Sequence, residues 1–161
     1  MAKVIVRPPT SELYEKDFPL WAERQAAILR AKRFDELDLD NLIEEVEDLG
    51  RRERDMVESR LETILEHLLK LALSSAARPR RGWLVTVDRQ RASLARKLTA
   101  TLRHHLETQL PAIYAGLKRP VARQLERDGV SLDALPVTCP YILDQILDPD
   151  WYPTNARGRQ D

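Results

Sequence analysis

Cysteine is almost missing from this chain. The single Cys139 excludes an internal disulfide and suits a reducing cytoplasm. Glycine is scarce as well, five in 161 residues, which disfavours a loop-rich or low-complexity protein. No apolar run approaches the roughly 18 residues that a membrane span needs, so no membrane association is expected. The opening MAKVIVRPPT lacks the pattern of a secretory signal. Formal net charge is +0, so no global field draws the chain toward nucleic acid or lipid. There is no Gly-rich phosphate loop, no CxxC, no HExxH and no nucleophile elbow. The serines have no recognisable base partner. With these signatures missing, no cofactor and no familiar catalytic class is expected.

What is present is charge and helical periodicity. Charged residues make up 32% of the chain, above the usual share of about a quarter. A length of this order is enough for one domain with its own core. One stretch dominates, residues 38–76, DLDNLIEEVEDLGRRERDMVESRLETILEHLLKLALSSA. Its apolar residues recur at three and four: Leu39, Leu42, Ile43, Val46, Leu49, Met56, Val57, Leu61, Ile64, Leu65, Leu68 and Leu71. Asp38 is placed to cap it and Leu37 to staple it against Leu42. At 1.5 Å per residue such a helix would be roughly 60 Å long, so a bend near Gly50 or an early end is expected.

Shorter helices flank it. One is expected from residue 12 or 17 to 33, with Pro19 in the tolerated first turn. A third is expected over 83–109 and a fourth over 112–128, with Pro111 ending or kinking the former and Pro120 bending or splitting the latter. Gly129 is a good stop. A last short helix covers 141–147. The expected fold is all-α, an antiparallel bundle of four main helices with a long central helix and a short C-terminal one. Residues 1–10 are expected to be a disordered lead-in, 11–153 a single domain and 154–161 a disordered tail.

Polar residues interrupt the long stripe. Glu53, Arg60 and His67 follow Val46 at intervals of seven along one edge of it, and Arg91 and His105 interrupt the third helix. Antiparallel pairing through the loop near Pro79 would make opposed residue numbers sum to roughly 158. Glu53 then faces His105, Arg60 faces Leu98, and His67 faces Arg91. A buried polar group without a partner costs about 1–3 kcal/mol, so these five are expected to form a polar core network that fixes helix register. A metal site from Glu53, His67 and His105 is disfavoured, because the Glu-x-x-His signature of dinuclear bundle sites is missing. Arg60-x6-His67 is similar in outline to the arginine–histidine motif of HEPN-type ribonucleases, also all-helical. Leu61 stands where that pattern carries a polar residue. The resemblance implies a nucleic-acid-processing enzyme with Arg60 and His67 at the substrate phosphate.

Charge is segregated along the chain. Residues 35–48 hold eight acids and no base, whereas 78–103 hold eight bases against Asp88 alone. Arg78, Arg80 and Arg81 are candidates for phosphate contact, with Trp83 beside them able to stack a base. The acidic block suits a basic partner or the basic block of a second copy.

Five segments together resemble a bacterial family catalogued as domain of unknown function 29. They are YEKDFPLWAERQAAILR from Tyr14, RFDELDLDNLIEEVEDLGRRER from Arg33, SRLETILEHLLKL from Ser59, the GW…RQRASL segment from Gly82, and CPYILDQILDPDWYP from Cys139. The resemblance implies one all-helical bacterial domain and no activity. Glu53, His67, Gln90 and Arg91 match positions of the family's pattern, and His105 does not. The preferred expectation is a non-catalytic helical binding or regulatory protein of the cytoplasm, acting on a protein partner or on itself. The alternative is the nuclease built on Arg60 and His67.

Overall fold

The structure, a computed structural model, describes residues 11–76 and 79–156. It is all-α, and no strand occurs among the described residues. Helices α1 (Ser11–Lys16), α2 (Phe18–Arg30), α3 (Leu39–Leu73), α4 (Arg80–Ala95), α5 (Ala100–Leu125) and α6 (Leu143–Leu147) follow in order, with 3-10 turns between some of them. The chain groups into two compact units, the second starting at Glu53.

In the first unit α1 and α2 meet at Asp17. Its side chain accepts a hydrogen bond from Leu20 N at 3.2 Å and starts α2 with Pro19 in the first turn. Lys32, at φ 57, closes α2: Arg33 N donates to Ile28 O and Lys32 N to Leu29 O. That left-handed cap more often uses glycine. Trp21, Gln25, Ile28 and Asp38 are the buried residues here. The Asp38 carbonyl accepts the first helical bond of α3, from Leu42 N, at the capping position expected for it. Its carboxylate is used differently. It accepts from Trp21 Nε1 at 3.0 Å and from Asn41 Nδ2 at 2.8 Å, while Asp38 N donates to Gln25 Oε1 at 2.9 Å. Tyr14, Phe18 and Trp21 form an aromatic cluster beside this hub.

Helix α3 is unbroken through Gly50, and the division into units falls just after it, between Arg52 and Glu53. In the second unit, Arg60 bonds Gln90 and Arg80 bonds the Leu71 carbonyl, so α3 and α4 run antiparallel. Glu58 bonds His105 and Ser74 bonds Asp128, so α5 runs parallel to α3. The core between them is Val57, Leu61, Ile64, Leu65, Leu68 and Leu71 of α3, Val87 and Leu94 of α4, and Leu106, Ile113, Tyr114, Val121 and Leu125 of α5, closed by Leu143 and Ile146 of α6.

Two expectations need correction. The helix placed over 83–109 ends at Ala95, because Thr99 adopts an extended backbone and caps a new helix, its side chain accepting from Leu102 N at 3.3 Å. Neither Pro111 nor Pro120 ends that new helix: both lie inside α5. Each proline leaves one carbonyl without its helical donor, at Glu107 and at Gly116. Both prolines and both of those residues are exposed, so water satisfies the freed carbonyls. Gly129 then stops the segment at φ 72, with Val130 N donating to Leu125 O. Residues 154–156 lie against the end of α3: Ala156 N donates to Ala72 O and Asn155 Nδ2 to Ser74 O. The lead-in 1–10 and residues 157–161 lie outside the described residues.

The Asp38 hub makes a specific demand on stability. Asp38→Ala leaves the buried Trp21 N–H unpaired and should cost about 1–3 kcal/mol in chemical denaturation. Asp40→Ala, at an exposed position, should change little. Equal midpoints for the two variants would mean that the hub bonds are not made in solution.

Candidate functional site

The five polar residues expected to form one network are distributed differently. His105 Nε2 donates to the Glu58 carboxylate at 2.5 Å, one turn and a half further along α3 than Glu53. Glu53 itself is exposed. Arg60 donates from Nη1 to Gln90 Oε1 at 2.9 Å, and its Nε is buried without a partner. His67 is half-buried and donates from Nδ1 to the Thr63 carbonyl at 2.8 Å, within its own helix. A carbonyl only accepts, which fixes the proton on Nδ1. The pairings Glu53–His105, Arg60–Leu98 and His67–Arg91 rested on a single helix over 83–109. With the chain turning at 96–99, α4 and α5 meet α3 in opposite directions, and one register sum cannot serve both.

Arg91 is the outstanding polar group of the second unit. It is 4% exposed. Nε donates to Ile146 O at 2.8 Å, Nη2 to Trp151 O at 2.9 Å, and the guanidinium lies 4.8 Å from the centre of the Tyr152 ring. Tyr152 in turn donates its hydroxyl to Asp88, one turn earlier on α4. Burial pushes the Arg91 pKa down, opposed by Tyr152, Asp88 and Asp148. Nη1 has no partner. The arrangement pins the chain after α6 to α4.

The basic block is only partly a surface. Arg80 reaches back to the Leu71 carbonyl at 2.9 Å and so ties the loop to α3. Arg81 is exposed. Arg78 lies outside the described residues. Among the described residues no group of three or more His, Cys, Asp or Glu is placed to hold a metal.

A cleft of about 450 Å³ opens between α5 and the loop before α6, lined by Leu110, Tyr114, Val137, Cys139 and Tyr141 among others. Two of its polar groups are engaged within the chain. Tyr114 donates to Pro136 O at 2.7 Å, and the Cys139 thiol to Tyr141 O at 3.3 Å. Burial pushes the Cys139 thiol up, which keeps it protonated and a poor nucleophile.

An apolar face stands out in the first unit. Leu39 (56% exposed), Ile43 (48%), Val46 (61%) and Leu49 (60%) lie in the first turns of α3. Leu42, Glu45 and Asp48 are the partly buried side of the same turns. Tyr14 donates to Glu45 there at 2.8 Å. Periodicity alone marked the exposed four as core. The signal that separates them from Val57 onward is the company they keep, since 40–48 carry only acids.

The sequence matches the family model described as Domain of unknown function DUF29 over residues 13–152. The chain belongs to this family. No curated protein and no solved structure matches it. Of the residues expected to match the family's pattern in this DUF29 chain, His67 bonds Thr63, Gln90 bonds Arg60, and Arg91 bonds the segment after α6, while Glu53 is exposed.

Two outcomes test this account of the second unit. Arg91→Met keeps the stem and removes the donors, and it should cost on the order of 3 kcal/mol, leaving the Ile146 and Trp151 carbonyls to find water. Residues 148–156 should then be cut by protease well before the rest of the unit; unchanged digestion would contradict the pinning role. The tyrosines supply the second. Tyr152 and Tyr141 are pushed up to about 12, both by burial first and Tyr152 also by its bond to Asp88. A raised folded pKa of an acid gives stability that is complete below the unfolded value of about 10 and is lost as pH rises toward 12. The thermal midpoint should therefore fall over that interval, and less steeply for Tyr152→Phe. An identical fall in the variant would show that Tyr152 does not contribute.

Proposed function

We propose that this protein works by binding and not by catalysis, as a helical adaptor or regulatory protein of the bacterial cytoplasm. The observation that carries the reading is the face formed by Leu39, Ile43, Val46 and Leu49. Four large aliphatic side chains stand 48–61% exposed on consecutive turns of one helix. Covering the remaining surface of each is worth roughly 1 kcal/mol. Apolar patches rimmed by charge on a soluble surface mark interaction sites, and a helix face of this kind suits a helix-in-groove or helix-on-helix partner. The acids at 40, 44, 45, 47 and 48 give that surface a sign, which selects partners more than it adds affinity. The free thiol of Cys139 suits a reducing compartment.

Support for the nuclease reading is limited to the spacing of Arg60 and His67. Arg60 directs one donor to Gln90 and His67 directs its Nδ1 to Thr63 of its own helix, so each is oriented by a neighbour within the fold.

Affinity purification of the tagged protein from its own host separates these readings. The wild type should retain a partner that Val46→Asp loses, while both stay folded by circular dichroism. Purified wild type should leave single-stranded RNA intact. RNA cleavage that disappears in His67→Ala would contradict the binding reading, and so would an identical set of partners for wild type and Val46→Asp.

A further inference from the structure

We propose that the partner is a second copy of this chain, and that the apolar, acid-rimmed face of α3 in one copy docks on the basic outer face of α4 in another. The proposal rests on the reading that the α3 face is a docking surface. It adds the identity of what covers it.

The two faces are complementary in sign and in pattern. At 3.6 residues per turn, Leu39, Ile43 and Val46 share a stripe whose outer edge carries Asp40, Glu44 and Glu47. The same geometry places Arg81, Val85 and Arg89 of α4, and Arg96 just past its end, on one face, with Asp88, which accepts from Tyr152, at its edge. Val85 is 51% exposed, and the three arginines are exposed around it. Among the described residues none of these acids or arginines is held in an ion pair within its own chain. Their charges are therefore available to another molecule. Arg51 and Arg52, by contrast, are taken by Asp48.

Like faces exclude the alternatives among copies. Two α3 faces would set acid against acid, and two α4 faces arginine against arginine. Each face repels itself and attracts the other, which selects a contact between unlike surfaces of two copies. Formal net charge of +0 leaves no long-range repulsion to keep copies apart. Both faces span a few turns, roughly 15 Å on α3 and 22 Å on α4 at 1.5 Å per residue, so one seats along the other.

The test is solution mass of the full chain by analytical ultracentrifugation. Wild type should exceed 18.6 kDa with a mass that rises with concentration and falls toward the monomer in about 0.5 M salt, where screening is strong. Glu44→Arg with Glu47→Arg makes both faces basic, and Arg89→Glu with Arg96→Glu makes both acidic. Each double variant alone should be monomeric. Mixed in equal amounts, they should associate, because each now supplies the face the other lacks. Association on mixing also shows that neither variant failed by misfolding. Wild type that stays monomeric at every concentration overturns the proposal, as does association that ignores both charge swaps and salt. Monomeric wild type whose captured partner is still lost in Val46→Asp would refute pairing between copies and leave the docking face standing. Capture unaffected by Val46→Asp would refute both.

Discussion

An apolar stripe on a long helix has to be covered, and most of this chain serves that requirement. From Val57 to Leu71 the apolar side chains of α3 are buried, and three helices and the segment after α6 are arranged to bury them. The topology of the second unit follows. α4 returns antiparallel through a loop tied by Arg80, and α5 runs parallel to α3 because the chain turns again at Thr99. Between Leu39 and Leu49 the same kind of residue, at the same spacing, stands in solvent. Burial of large apolar side chains dominates folding energetics. Leaving four of them uncovered on one face is the feature that asks for a function.

Buried polar groups in both units are placed where chain segments must be joined. Asp38 gathers Trp21, Asn41 and Gln25 and so seats α2 against the start of α3. Arg91 gathers the carbonyls of Ile146 and Trp151 and the ring of Tyr152, and so closes the second unit. An apolar residue at either place would pack as well, but it would not select one partner segment over another. The cost of an unmade bond in the interior supplies that selectivity.

The helices and the core of the second unit were legible in sequence because hydrophobic periodicity reports burial over long stretches. Leu61, Ile64, Leu65 and Leu68 needed nothing else. The turn at 96–99 was not legible, since Lys97 and Leu98 carry no glycine or proline and Thr99 is a weak cap signal. Pro111 and Pro120 misled in the other direction: their cost depends on whether the freed carbonyl reaches water, which is a property of the fold. That one error at 96–99 displaced every expected polar pairing. His105 was matched with Glu53 and meets Glu58, and Arg91 was matched with His67 and meets the segment after α6. The exposed stripe could not be told from core by spacing. Only the unbroken run of acids beside it distinguished the two halves of α3.

The proposed docking role rests on the exposed apolar face of α3 and the acids beside it. The most direct measurement is hydrogen exchange of backbone amides across dilution. If the α3 face is covered by the α4 face of another copy, amides of 39–49 and 81–96 should gain protection together as concentration rises and lose it together in high salt, while the core of the second unit stays unchanged. Exchange in both stretches that is independent of concentration would contradict the account.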